Sequence, residues 1–219
     1  MKQRIRLIYK KAFLFFGAQN WWPARTKFEV MVGAILTQNT NWKNVEKVID
    51  NLKKKKLLEP GRLVKLNTEK LAQLIRSSGY YNIKARRLKS FLDFFHADYQ
   101  GSIKKMKQQS LLYLREKLLS VNGIGPESAD SILLYALDKP IFVVDAYTKR
   151  ILQRHRLIKA DAEYLKVQGL FMRHLKHNVQ LFNEYHALLV RLGKEYCLKN
   201  KPKCEICPLK NDLPKNKKS

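Results

Sequence analysis

Gly123 and Gly125 flank Ile124, Pro126 comes next, and Asp145 stands twenty positions after Gly125. Glycine has no Cβ, so its backbone can take angles closed to other residues and its N–H can approach an anion closely. Proline is favoured at the first position of a helix, and Ala129, Ile132, Leu133 and Ala136 follow at helical spacing. The positive end of that helix would face the glycine turn, a natural seat for phosphate. Asp145 would then hold a carboxylate near the gripped strand. Taken alone, Gly-x-Gly before a helix is equally an ordinary tight turn, and Asp145 is equally a cap for a helix over 146–155.

A second group with chemical potential is Cys197, Cys204 and Cys207, spaced x6 and x2. An odd number of clustered cysteines points to metal ligands before disulfides. His174 and His177 are placed on one helix face and read as a solvated pair.

Charge narrows the partner. The chain of 219 residues carries 44 Lys plus Arg against 18 Asp plus Glu, a net charge of +26. The excess runs along the whole chain, which favours a nucleic acid over a single basic arm. A lysine-rich composition serving solubility or heat resistance would usually bring matching Glu, which is scarce here. No long uncharged apolar run is present, so a cytoplasmic soluble protein with no membrane segment is expected.

The elements that must position these residues are helical. Phe28, Met31, Val32, Ile35 and Leu36 form one apolar stripe, and Leu181, Tyr185, Leu188, Leu189 and Leu192 form another. The one β-like stretch, 141–144, is short and follows a proline, so it makes a poor strand. An all-α fold with about ten helices of ordinary length is predicted. Breaks fall at 20–23, 59–61, 77–82, near Gly101, at 122–126 and at 138–140. The closing stretch 214–219 reads as a frayed tail.

Four collinear segments carry a family resemblance: Val-Gly-Ala-Ile-Leu-Thr-Gln-Asn-Thr at 32–40, Gly-Tyr-Tyr-Asn-Ile-Lys-Ala at 79–85, the glycine hairpin with Val-Val-Asp-Ala-Tyr-Thr-Lys-Arg at 143–150, and the cysteine cluster. From Phe28 to Cys207 the chain resembles the helix-hairpin-helix DNA glycosylases of the endonuclease III superfamily. The resemblance implies a six-helix barrel domain over 28–142, with the helix-hairpin-helix at 118–137. A second helical domain would be built from 1–27 and 143–219, with a cysteine loop at 197–213. It also implies a monomer acting on double-stranded DNA whose damaged nucleotide is rotated out of the duplex. Asp145 matches the catalytic aspartate, which would stabilise positive charge developing on the sugar or orient water. Gly123 and Gly125 would hold the backbone. Tyr80 would fill the gap left by the flipped nucleotide, with Gln38 and Asn39 on the opposing lip and Asn82 and Lys84 in the same DNA-binding set.

This chain departs from the pattern in two places. Bifunctional members carry a lysine two residues past the second glycine, where it forms a Schiff base and nicks the strand; Glu127 stands there. A carboxylate cannot form an imine, so a monofunctional enzyme leaving an abasic site is expected. Trp21, Trp22, Pro23 and Trp42, together with Glu127, are the candidate base pocket. Neighbouring Trp21 and Trp22 could not both face one core from a helix, which leaves one indole for stacking on an electron-poor or cationic base. The combination is similar to the 3-methyladenine branch, so an alkylated purine is the expected substrate. A mismatch-specific adenine or thymine/uracil glycosylase and a non-catalytic DNA-binding module are the alternatives.

The second departure is in the cysteine loop. The family's four-iron cluster takes four cysteines, and Leu213 occupies the fourth position. A cluster completed by Asp212 or water, a three-iron form, a zinc site and a vestigial loop all remain open at this point.

Overall fold

The computed structural model describes residues 1–22 and 24–213, so Pro23 of the expected pocket and the tail at 214–219 lie outside the described residues. Among the described residues there are twelve α-helices and no strand. The chain divides into two compact units, one comprising Trp22–Lys139 and the other Met1–Trp21 with Pro140–Ser219.

The continuous unit holds α2 (Lys27–Leu36), α3 (Trp42–Lys54), α4 (Pro60–Leu63), α5 (Thr68–Leu74), α6 (Tyr81–Tyr99), α7 (Ile103–Gln108), α8 (Leu111–Ser120) and α9 (Pro126–Ser131); the other holds α1 (Lys2–Phe16), α10 (Ala146–Arg154), α11 (Tyr164–His174) and α12 (Val179–Glu195). Local chemistry sets many of the starts. Thr26, Asn41, Asn67, Ser102 and Ser110 each accept a hydrogen bond from a backbone N–H in the first turn they precede.

Helix α2 is buried on every face, not along one stripe, and this includes Glu29. The charge is tolerated because Lys53 Nζ stands 2.6 Å from its carboxylate and the Arg25 N–H donates to it. The helix after the glycine turn departs from regular α geometry. Over Ile132–Ala136 it opens into a wide π-helical turn, and the Leu137 N–H donates to the Ile132 carbonyl five residues back. All five residues of that turn are buried.

In the other unit, Phe142 stacks on Phe171 with ring centroids 3.7 Å apart and meets Phe182 and Tyr185 edge-on. The stretch 141–144 is buried and lacks ladder partners, so its backbone polar groups need side-chain partners. Gln168 Nε2 donates to the Phe142 carbonyl at 2.7 Å, and the Val144 N–H donates to Tyr164 Oη at 3.3 Å. Helix α11 thereby anchors the segment that delivers Asp145. His174 ends α11 while His177 lies beyond it, so the two share no helix face.

Candidate active site and nucleic-acid interface

Asp145 caps α10, its Oδ1 accepting from the Thr148 N–H at 2.7 Å. Its Oδ2 lies 3.7 Å from His186 Nε2, and the carboxylate side chain keeps 11% of its surface exposed. Burial pushes this acid up. The His186 ring and the Thr148 N–H outweigh burial and hold the group below the usual carboxylate range. The result is an ionised carboxylate in a mostly dry setting, where it can stabilise a nearby cation strongly. Capping uses only Oδ1 and leaves Oδ2, beside His186, outside the cap bond.

The glycine hairpin joins α8 to α9. Gly123 has φ +85, and a Cβ there would sit 2.1 Å from Arg87 Cγ, so both its backbone angle and its packing require glycine. Gly125 differs from expectation: its φ of −88 suits any residue, and a Cβ would meet nothing within 4 Å. The open space in front of it is what an approaching phosphate needs. Neither Gly123 N–H nor Gly125 N–H donates to a protein acceptor among the described residues, which leaves both for an anion.

Support for the hairpin comes from residues that sequence reasoning assigned elsewhere or missed. Gln38 Nε2 donates to the Gly123 carbonyl at 3.0 Å and to Ser128 Oγ at 2.9 Å, and its Oε1 accepts from Arg87 at 2.6 Å. Its amide is spent bracing the turn and does not face orphaned base edges. Arg115 and the fully buried Asp130 form a two-point ion pair, with contacts of 2.8 and 3.3 Å, that ties α8 to α9.

Lys84 corrects another assignment. It is 1% exposed, and its Nζ donates to the Leu36 and Ser78 carbonyls at 2.8 and 2.7 Å. An ammonium so enclosed cannot reach DNA phosphates; it staples the end of α2 to the turn before α6. Burial, with the Arg87 charge second, lowers its pKa to about 8. On that turn Tyr80 is 71% exposed in a left-handed conformation, φ 49 and ψ 32, which is costly for a bulky residue. Asn39 is also left-handed and exposed, and Asn82 is exposed in the first turn of α6.

The tryptophans separate. Trp21 and Trp22 lie between α1 and α2 outside any helix, so the helical argument that would point them apart does not apply. Trp21 belongs to the unit containing α12, where Lys194 Nζ sits 5.8 Å from its ring centre. Trp22 meets Trp42 edge-on and Tyr135 at a tilt, each with ring centroids 5.3 Å apart. Gly33 lies under this group: a Cβ there would already touch Trp22 and Trp42 at 3.4 and 3.5 Å. Tyr135 is an addition to the predicted set, concealed in the sequence by its apolar run. Glu127 is exposed in the first turn of α9.

Cys197, Cys204 and Cys207 line one small cavity, and Leu213 is also on its wall. Arg154 donates to Cys197 Sγ at 3.1 Å and the Leu209 N–H to Cys207 Sγ at 3.4 Å. Burial pushes the Cys207 thiol up, the Leu209 N–H acts against it, and Cys197 and Cys204 add to the rise. One charged donor and one backbone N–H thus point at sulfur on this wall. Among the described residues no three His, Cys, Asp or Glu side chains are arranged to hold a single metal ion. Asp212 is not on the wall: its carboxylate is taken by Arg4 at 3.0 Å and His155 at 2.9 Å.

Residues 32–177 match the model of the HhH-GPD superfamily of base excision DNA repair proteins. MJ1434 of Methanocaldococcus jannaschii, named as a candidate DNA repair glycosylase, is 48% identical over 210 residues, covering 95% of this chain and 94% of that protein. The H. pylori 3-methyladenine DNA glycosylase bound to 1,N6-ethenoadenine is 32% identical, with a TM-score of 0.74 over 89% of this chain and 97% of that one. A trapped endonuclease III–DNA covalent intermediate shares the fold, with a TM-score of 0.83 at 24% identity over 97% of this chain and 95% of that one. The chain belongs to the HhH-GPD superfamily of base excision DNA repair proteins and is a DNA glycosylase of that family. No described helix is long and apolar enough to cross a membrane.

Proposed function

We propose that the protein is a monofunctional glycosylase that hydrolyses the N-glycosidic bond of alkylated purines such as 3-methyladenine in double-stranded DNA. The observation that carries this reading is the aromatic group of Trp22, Trp42 and Tyr135 closing over Gly33. Indole and phenol faces attract a cationic ring and stack on any flat base. The 32% identical H. pylori relative, named for 3-methyladenine and bound to a modified adenine, supports the same substrate class.

The division of labour follows from the chemistry. N-alkylation already places positive charge on the base, so little acid catalysis is needed for it to leave. As it leaves, charge moves to the sugar, and the ionised Asp145 carboxylate stabilises that charge and orients water. The free N–H groups of Gly123 and Gly125 take a backbone phosphate. The exposed ring of Tyr80 fills the gap left by the extruded nucleotide. With Glu127 at the hairpin position where relatives use an amine, no imine forms there and the strand is left intact.

The test is to incubate the purified protein with methylated duplex DNA and separate the free bases, beside duplexes carrying adenine, thymine or uracil mismatches. Release of 3-methyladenine that Asp145→Asn abolishes is the expected result. Mismatch excision alone would assign the protein to a different branch, and trapping by borohydride would refute the monofunctional mechanism. Duplex binding without release of any base would leave only a DNA-binding module.

A further inference from the structure

The cavity beside the C-terminal cysteines has a fourth donor that the cysteine spacing does not announce. His155, 4% exposed and at the C-terminal cap of α10, lines it together with Cys197, Cys204 and Cys207. Its Nδ1 pairs with Asp212 Oδ2 at 2.9 Å, and Arg4 donates to the same oxygen at 3.0 Å and to Oδ1 at 3.3 Å. With Nδ1 turned to the carboxylate, Nε2 is the ring nitrogen available to a metal. Metal-bound histidines are held in this way almost without exception.

The same contacts explain why neither Asp212 nor Leu213 completes the site. The Asp212 oxygens are already committed, and Leu213 has no donor atom. Three sulfurs and one imidazole nitrogen remain on the wall. A zinc ion would accept such a set, but its ligands must converge on one point, and no three described side chains do so. A cluster presents each iron to a different ligand, so its donors stand apart. Histidine can replace cysteine on cluster iron, as in Rieske centres.

We propose that Cys197, Cys204, Cys207 and His155 Nε2 are the four ligands of an iron–sulfur cluster in this protein, His155 taking the iron for which the chain has no fourth thiolate. The assignment stands independently of which base the enzyme releases.

The full-length protein, purified anaerobically or reconstituted with ferrous iron and sulfide, should bind about four irons per chain, as a cubane cluster requires. After ¹⁵N-histidine labelling and dithionite reduction, pulsed EPR should show a directly bound nitrogen. His155→Ala should drop to about three irons and lose that coupling. Leu213→Cys, which leaves His155 in place, should keep the iron and lose the nitrogen signal as the new thiolate displaces the ring; it decides the matter if His155→Ala fails to fold. Absence of a cluster after reconstitution, stoichiometric zinc, no nitrogen coupling in the unsubstituted protein, or iron content and coupling unchanged in His155→Ala would each overturn the proposal.

Discussion

His186 Nε2 stands 3.7 Å from Asp145 Oδ2, with both side chains largely buried, and against the upward push of burial this neighbour, with Thr148, holds the acid below the usual carboxylate range. Asp145 gives up its charge only below the ordinary carboxylate value near 3.8. Single-turnover base release, corrected for enzyme-free loss, should therefore show no acid limb due to Asp145 above that value. In His186→Ala the desolvation remains and the compensating ring is gone, so an acid limb should move upward into the measured range. An unchanged profile would show that His186 does not set the charge of the carboxylate.

The two hairpin glycines should behave differently on substitution. Gly123→Ala meets a left-handed angle and the Arg87 side chain, so it should lose at least about 1–2 kcal/mol from backbone strain alone and bind duplex poorly. Gly125→Ala should fold with stability within about 0.5 kcal/mol of the parent, as for an unstrained surface site, yet still lose DNA affinity. Thermal melts set beside fluorescence anisotropy with a labelled duplex separate the two effects.

Lys84 makes a prediction about alkali. Its folded pKa of about 8 lies below its ordinary 10.5, so between those values the unfolded chain holds the proton that the folded chain has released. Stability from this group therefore rises with pH across that window and is lost as pH falls through 8. Lys84→Met removes the contribution, and the difference between its urea midpoint and the parent's should change with pH between 8 and 10.5. A difference that is constant across the window would contradict the assigned burial.

Breaking the α8–α9 ion pair from one side should be costly. Asp130→Ala leaves Arg115, whose side chain is mostly enclosed, without its carboxylate, a loss of about 3–5 kcal/mol for a buried pair. Chemical denaturation measures it directly, and a loss under 1 kcal/mol would mean that the hairpin angle is set elsewhere.

Tyr80 should trade stability against function. Asparagine tolerates the left-handed conformation better than tyrosine, so Tyr80→Asn should melt no lower than the parent. Its affinity for lesion-bearing DNA should fall by about tenfold, the equivalent of about 1.4 kcal/mol from one lost base-stacking ring. Equal affinity would remove the wedge role.

The repeated apolar spacing at 28–36 and 181–192 made α2 and α12 legible from the sequence, because a buried helix face is a local pattern. Full enclosure of α2 was not legible, since it depends on Lys53 reaching Glu29. Contacts between distant parts of the chain hid the rest. Lys84 looks like one basic residue among many until the Leu36 and Ser78 carbonyls are seen around it. Gln38 looks like a DNA contact until Gly123 and Arg87 claim its amide. His155 and His186 carry no motif, and each acquires a role only from the acid beside it, Asp212 or Asp145.

The widened turn at Ile132–Ala136 decides which side chain meets Trp22. A π turn holds more residues than an α turn, so it rotates the residues after it about the axis while the Gly125 end stays in place. Tyr135 lies inside the turn with its ring centroid 5.3 Å from that of Trp22, so a regular α turn over the same stretch would present a different residue to that indole.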